Sequence, residues 1–214
     1  MPDPMKSFVR TRAERRLRVE HAGQMADAVL AAVRYVDIDY ARERRAGGHE
    51  GPRRIVDEVE WRQPSWRYEG FDSIDYGVEF ECVDGRVFSV TWQSPGWIEG
   101  LIFWEQPLIG NAVVSDAAVA VWDVSSRSGW QDFVGRTVRG VHLRYEPWSD
   151  EGYWCRQVVI SFRRGDVALV LGEARAPDWR LEPSADNVAV IFPGSPLARL
   201  GDRGLGPSHA DGFK

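Results

Sequence analysis

The stretch Trp148-Ser149-Asp150-Glu151-Gly152-Tyr153 sets two carboxylates between aromatic rings, just ahead of the apolar run from Val158 to Phe162. Carboxylates beside rings suit two kinds of work, proton transfer to a bound substrate and the gripping of a ligand in a cleft. A related stretch, Trp66-Arg67-Tyr68-Glu69-Gly70-Phe71, stands earlier in the chain and places Glu69 in the position of Glu151. Two such carboxylates facing each other across a ligand would provide the acid and base of glycosidase-type hydrolysis. His142 alternates with Val141 and Leu143, which turns it to the other face of a strand. His142, Glu151, Glu69 and Asp150 are therefore the acid–base candidates, against the plainer reading of solvated strand and turn residues.

Other chemistries find less in the sequence. No serine lies in a G-x-S-x-G turn, and neither Cys82 nor Cys155 has a histidine close by in sequence. The four histidines are scattered, with no H-x-x-x-H or C-x-x-C spacing, so neither a metal nor a cofactor is expected. Asp37 and Asp39 alternate on one strand face in a way that suits Mg²⁺ or Ca²⁺, although acids on strands are commonly exposed. Ten tryptophans remain. Trp148, Tyr153, Trp154, Trp66, Trp97 and Trp179 fall at expected strand ends and loops, where rings line a ligand cleft, anchor a protein partner or plug the core.

The elements that would carry these residues recur along the chain. Residues 54–71 align without gaps on 136–153 with seven of eighteen positions identical, among them Val56/Val138, Val59/Val141, Trp66/Trp148 and Gly70/Gly152. Average composition would give roughly one identity. On this pattern Trp66, Trp148, Glu69, Glu151 and the two glycines read as repeated scaffold, leaving Asp150, Trp154, Cys155 and His142 peculiar to the second copy. Each copy carries strand patterns at 33–39 or 118–125 and at 54–62 or 136–145. A hairpin follows, 76–83 with 86–93 or 156–163 with 166–172, and a last strand lies near 100–105 or 187–192. Asp84-Gly85 and Arg164-Gly165 are the hairpin turns, and the run VALVL at 167–171 is apolar on both faces.

Ahead of the strands, Thr11-Arg-Ala-Glu14 is a capping box, and Leu17, His21, Met25, Ala28 and Ala32 recur at helical spacing, predicting a helix over 12–30. The expected fold is mainly β, α+β by content. It is internally duplicated, with about ten mostly antiparallel strands closing as a pseudo-twofold β-sandwich or barrel behind an N-terminal helix. The expected division is a helical segment over 1–31, one β domain over 32–192 built from repeats at about 32–105 and 118–192, and a flexible tail over 193–214.

A net charge of −5 speaks against a nucleic-acid partner, and no apolar segment is long enough for a signal peptide or a membrane span. A cytoplasmic protein with reduced thiols is the expectation, with self-association left open. Its expected function is non-catalytic. An aromatic-rimmed cleft or acidic face would hold a small molecule or a protein partner, in the manner of an inhibitor or immunity protein. A hydrolase or isomerase using carboxylate and histidine side chains is the alternative.

Overall fold

The computed structural model describes residues 7–40, 51–94, 99–148, 152–183 and 186–198. A short β1 (Phe8–Val9) precedes α1 (Arg12–Gly23), which leads into β2 (Leu30–Ile38). Then come β3 (Arg53–Arg54), α2 (Glu58–Arg62), β4 (Arg67–Tyr68) and β5 (Phe71–Ile74), followed by β6 (Gly77–Cys82), β7 (Val87–Gln93) and β8 (Gly100–Trp104). The second half contains β9 (Val119–Asp123), a 3-10 turn at Ser128–Asp132, β10 (Gly140–Trp148), β11 (Gly152–Phe162) and β12 (Gly165–Leu171). A ribbon of β13 (Glu173–Arg175) with β14 (Arg180–Glu182), and then β15 (Val188–Ile191), complete the described strands.

Two large sheets result. One runs β3-β9-β2-β6-β7-β8; the other runs β1-β11-β12-β15-β5-β4, with β10 on the opposite side of β11. Every pairing within them is antiparallel except the short β3–β9 contact. The protein is thus mainly β, but neither large sheet closes on itself, and the expected barrel does not form.

Both sheets contribute to one apolar cluster. Tyr35, Phe80, Val90 and Phe103 from the first gather with Val158, Ile160, Leu169 and Val190 from the second. Each fully buried side chain of this size contributes about 1.5–3 kcal/mol relative to exposure. β12 explains its own sequence. Val167, Leu169 and Leu171 point to the shared core, while Ala168 and Val170 point to a second cluster beneath Ala174 and Leu181 of the ribbon. A strand covered on both faces has no polar side to show.

The expected helix begins where its capping box places it. The Glu14 amide donates to Thr11 Oγ1 at 3.1 Å, and the Thr11 amide donates to the Glu14 carboxylate at 3.2 Å. It ends at Gly23, well short of residue 30, because the chain beyond is claimed by tertiary pairing. The amides of Asp27 and Leu30 donate to the carbonyls of Val138 and Arg136, and Val138 donates back to Ala28. The stripe from Leu17 to Ala32 is therefore split between an exposed helix, a buried turn and a strand.

The strand expected at 54–62 is the second departure. Asp57 caps α2 there, its carboxylate accepting the Val59 amide at 2.8 Å, and Glu58 and Glu60 favour the positive helix start. The counterpart, 136–145, contributes to β10 as expected. Aligned identities consequently occupy opposite environments. Val56 is 82% exposed and Val138 fully buried; Val59 is 68% exposed and Val141 5%; Trp66 is fully buried and Trp148 40% exposed. The likeness of 54–71 to 136–153 thus does not mark equivalent places in the fold. What the halves do share is strand order, since β6-β7-β8 and β11-β12-β15 are both antiparallel neighbours in sequence order.

Candidate functional site

β5 lies in one sheet and β6 in the other, so the Asp75-Tyr76 link crosses between them. Near this crossing, the β4–β5 turn and the segment after β15 enclose an open depression of about 470 Å³, lined by Arg67, Tyr68, Gly70, Phe71, Asp72, Phe192 and Ser195. The turn is tight because Tyr68 and Phe71 are direct cross-strand partners, and Gly70 adopts a φ of +86°, which glycine tolerates best. Ser195 ties the far wall to it: its hydroxyl donates to the Gly70 carbonyl at 2.6 Å and accepts the Leu197 amide at 3.1 Å.

Aromatic rings dominate the walls. Tyr68 stacks on Phe71 with centroids 5.5 Å apart, and Trp179 stacks on Tyr68 at 5.7 Å. Phe192 meets Trp130 edge-on at 5.3 Å. The Arg67 guanidinium lies 5.0 Å over the buried Trp66 ring, and among the described residues it has no carboxylate in salt-bridge contact. Asp72, buried in the floor, accepts the Tyr35 hydroxyl at 2.8 Å, and Tyr35 in turn accepts the Trp130 indole N–H at 2.7 Å. Burial, reinforced by the Asp72 charge, raises the Tyr35 pKa well above the ordinary phenol range, so this chain of bonds is fixed in its neutral-phenol form.

Beside the depression lies a group of acids that the sequence shows only in part. Asp37 and Asp39 are both buried, contrary to the expectation for strand acids. Asp39 receives a two-pronged bond from Arg53, at 2.7 Å to each oxygen, and the same guanidinium reaches Glu60 at 2.9 Å. Asp37 accepts the Ser65 hydroxyl at 2.6 Å and the Asp75 amide at 3.0 Å. Asp75 accepts the Tyr40 hydroxyl at 2.8 Å and the Asn187 amide group at 3.0 Å. Burial first, and then the neighbouring Asp75 carboxylate, hold the Asp37 pKa well above the usual carboxylate range. Burial of the phenol, with Asp37 and Asp75 adding to it, also raises Tyr68. Among the described residues no group of three or more histidine, cysteine, aspartate or glutamate side chains has a metal-binding arrangement.

Of the acid–base candidates, the two described ones, His142 and Glu69, are not among the residues lining the depression. His142 is exposed on β10, opposite Val159, and Glu69 is exposed in the β4–β5 turn. Asp150, Glu151 and Trp97 lie outside the described residues. Of the ligand candidates, Trp148, Tyr153 and Trp154 sit together on the β10–β11 hairpin, where Tyr153 lies under the Arg15 guanidinium at 5.0 Å. Trp66 is sealed in the core, meeting Trp61 and Trp122 edge-on at 6.2 and 5.7 Å. Among the five described ligand candidates, Trp179 alone touches a ring of the depression. Arg67, Tyr68, Phe71 and Phe192 carried no distinguishing spacing, because the depression forms only when the β4–β5 turn meets the segment after β15.

No helix among the described residues is long and apolar enough to cross a membrane. No protein-family model, no curated protein and no solved structure matches the chain.

Proposed function

We propose that the chain is a small-molecule-binding protein whose site is the depression at the β4–β5 turn, and that its ligand is a planar ring bearing an anionic group. The observation that carries this reading is the setting of Arg67, a guanidinium with no ion-pair partner among the described residues at a recess walled by Tyr68, Phe71 and Phe192. A guanidinium offers a flat fork of donors to a carboxylate or phosphate, and stacked rings offer a face to a planar ligand. The volume falls within the range of small-ligand sites, and buried Asp72 spends an oxygen on Tyr35 at 2.8 Å. The acid–base alternative has less support, since exposed His142 does not line the recess and Asp37 and Asp75 bond to protein groups.

The same reading takes the two sheets as the halves of a β-sandwich, and the runs β6-β7-β8 and β11-β12-β15 as traces of an internal duplication related by a pseudo-twofold. The shared core and the common strand order support it.

Calorimetric titration with small aromatic acids, benzoate and indole carboxylates among them, tests the site. Saturable binding is expected, weakened about ten- to hundredfold by Arg67→Ala, the worth of a charge-assisted hydrogen bond. Tyr68→Ala weakens it through loss of the ring face. Equal binding by wild type and both variants removes the depression from consideration.

A further inference from the structure

Buried Asp37 and half-buried Asp75 form a carboxyl pair at the place where the chain passes from one sheet to the other. Asp37 sits on β2 of the first sheet, and Asp75 follows β5 of the second. Asn187, which leads into β15, holds Asp75 at 3.0 Å and Ser73 of β5 at 3.2 Å. Ser65 and Tyr40 close the group at 2.6 and 2.8 Å, and the Trp92 indole N–H of β7 bonds the Asp75 carbonyl at 2.5 Å. The titratable groups that face the pair are the Tyr40 and Tyr68 phenols, both of which feel the two carboxyls. Neither Asp37 nor Asp75 takes part in a salt bridge among the described residues; the nearby guanidinium of Arg53 is bound to Asp39 and Glu60.

Two adjacent carboxylates without a cation, one of them closed off from water, cannot both stay ionised at low cost; the inexpensive state keeps one proton between them. We propose that this pair is a proton-operated latch. The shared proton keeps the sheet crossing closed, and its loss to bulk solvent sets two like charges against each other and loosens the β5–β6 corner. The neighbouring depression would feel the change because Tyr68 and Asp72 line it and Asp72 lies three residues before Asp75. That last consequence rests on the ligand-binding reading; the latch itself does not.

The sign of the pH dependence follows from the raised Asp37 pKa. The folded state holds a proton that the unfolded chain has released, so stabilisation is complete below the ordinary aspartate range and is lost as pH rises toward the folded value. Asp37→Asn imitates the protonated acid. Its melting temperature should match the wild type at about pH 4 and exceed it at higher pH, by roughly 3–8 °C for a chain of this size. Hydrogen exchange of the 71–82 amides, corrected for intrinsic rates, should rise with pH in the wild type and not in the variant. A melting difference constant with pH, or a variant less stable at every pH, overturns the latch. If Asp37→Asn does not fold, carboxyl ¹³C titration of the wild-type protein decides: one aspartate titrating far above the ordinary range supports the pair, and all aspartates titrating below about pH 5 contradict it. These readouts use no ligand, so failure of the latch and failure of the binding site remain distinguishable.

Discussion

Arg53 sends one planar guanidinium between Asp39, just past β2, and Glu60 of α2, making four bonds of 2.7–2.9 Å. No lysine can make that fork. Arg53→Ala should therefore cost about 2 kcal/mol, discounted from a fully buried pair because the side chain is partly exposed. Arg53→Lys should recover less than half, both read as shifts in the urea midpoint. The two cysteines supply a second test at this scale. Both are buried and free, and burial pushes Cys82 up to about 11 and Cys155 up to about 12. Neither should react with a thiol reagent at pH 8 until urea unfolds the chain; rapid labelling of either in the folded protein would contradict its burial. Reduced thiols were legible from the cysteine count and their places in the pattern. The burial of Asp37 and Asp39 was not, because acids two apart on a strand look the same whether their face meets water or Arg53, Ser65 and Asp75.

At the scale of elements, the β5–β6 crossing depends on Gly77. Its φ is +148°, and a Cβ built there would lie 2.2 Å from the Val90 carbonyl oxygen, a backbone atom that cannot step aside. Gly77→Ala should cost more than about 3 kcal/mol or prevent folding. Gly23 is the contrast: nothing lies within 4 Å of its would-be Cβ at the end of α1, so Gly23→Ala should raise stability by up to about 1 kcal/mol. Hairpin strands were legible because local signals decide them. Asp84-Gly85 and the alternation around it place β6 and β7 within a residue or so of their observed bounds. α2 departs from the expected strand because Val59 and Trp61 alternate with Glu58, Glu60 and Arg62 as in a strand, and only the Asp57 cap argues otherwise. The overlong α1 failed for a different reason: its last residues are set by pairing with 136–138, a contact more than a hundred residues away in sequence.

For the whole molecule, the mainly β character and the two-sided burial of 167–171 follow from hydrophobic pattern. That the sheets stay open, and where the depression lies, do not, since each depends on which distant segments meet. Arg67 and Phe192 lie 125 residues apart and become neighbours only after β15 pairs with β5. Substitutions on the β10–β11 hairpin, such as Trp148→Ala, should leave ligand affinity unchanged within about twofold, because that surface does not line the depression. Binding of a planar anion in the depression, as proposed, is tested best by amide NMR during titration with a small aromatic carboxylate. Saturable shifts are expected on Arg67, Tyr68, Gly70, Phe71 and Ser195, with the midpoint moved to about ten- to hundredfold higher ligand concentration in Arg67→Ala. Saturable shifts centred instead on Trp148, Tyr153 and Trp154, or no saturable shift with any aromatic acid, would contradict it.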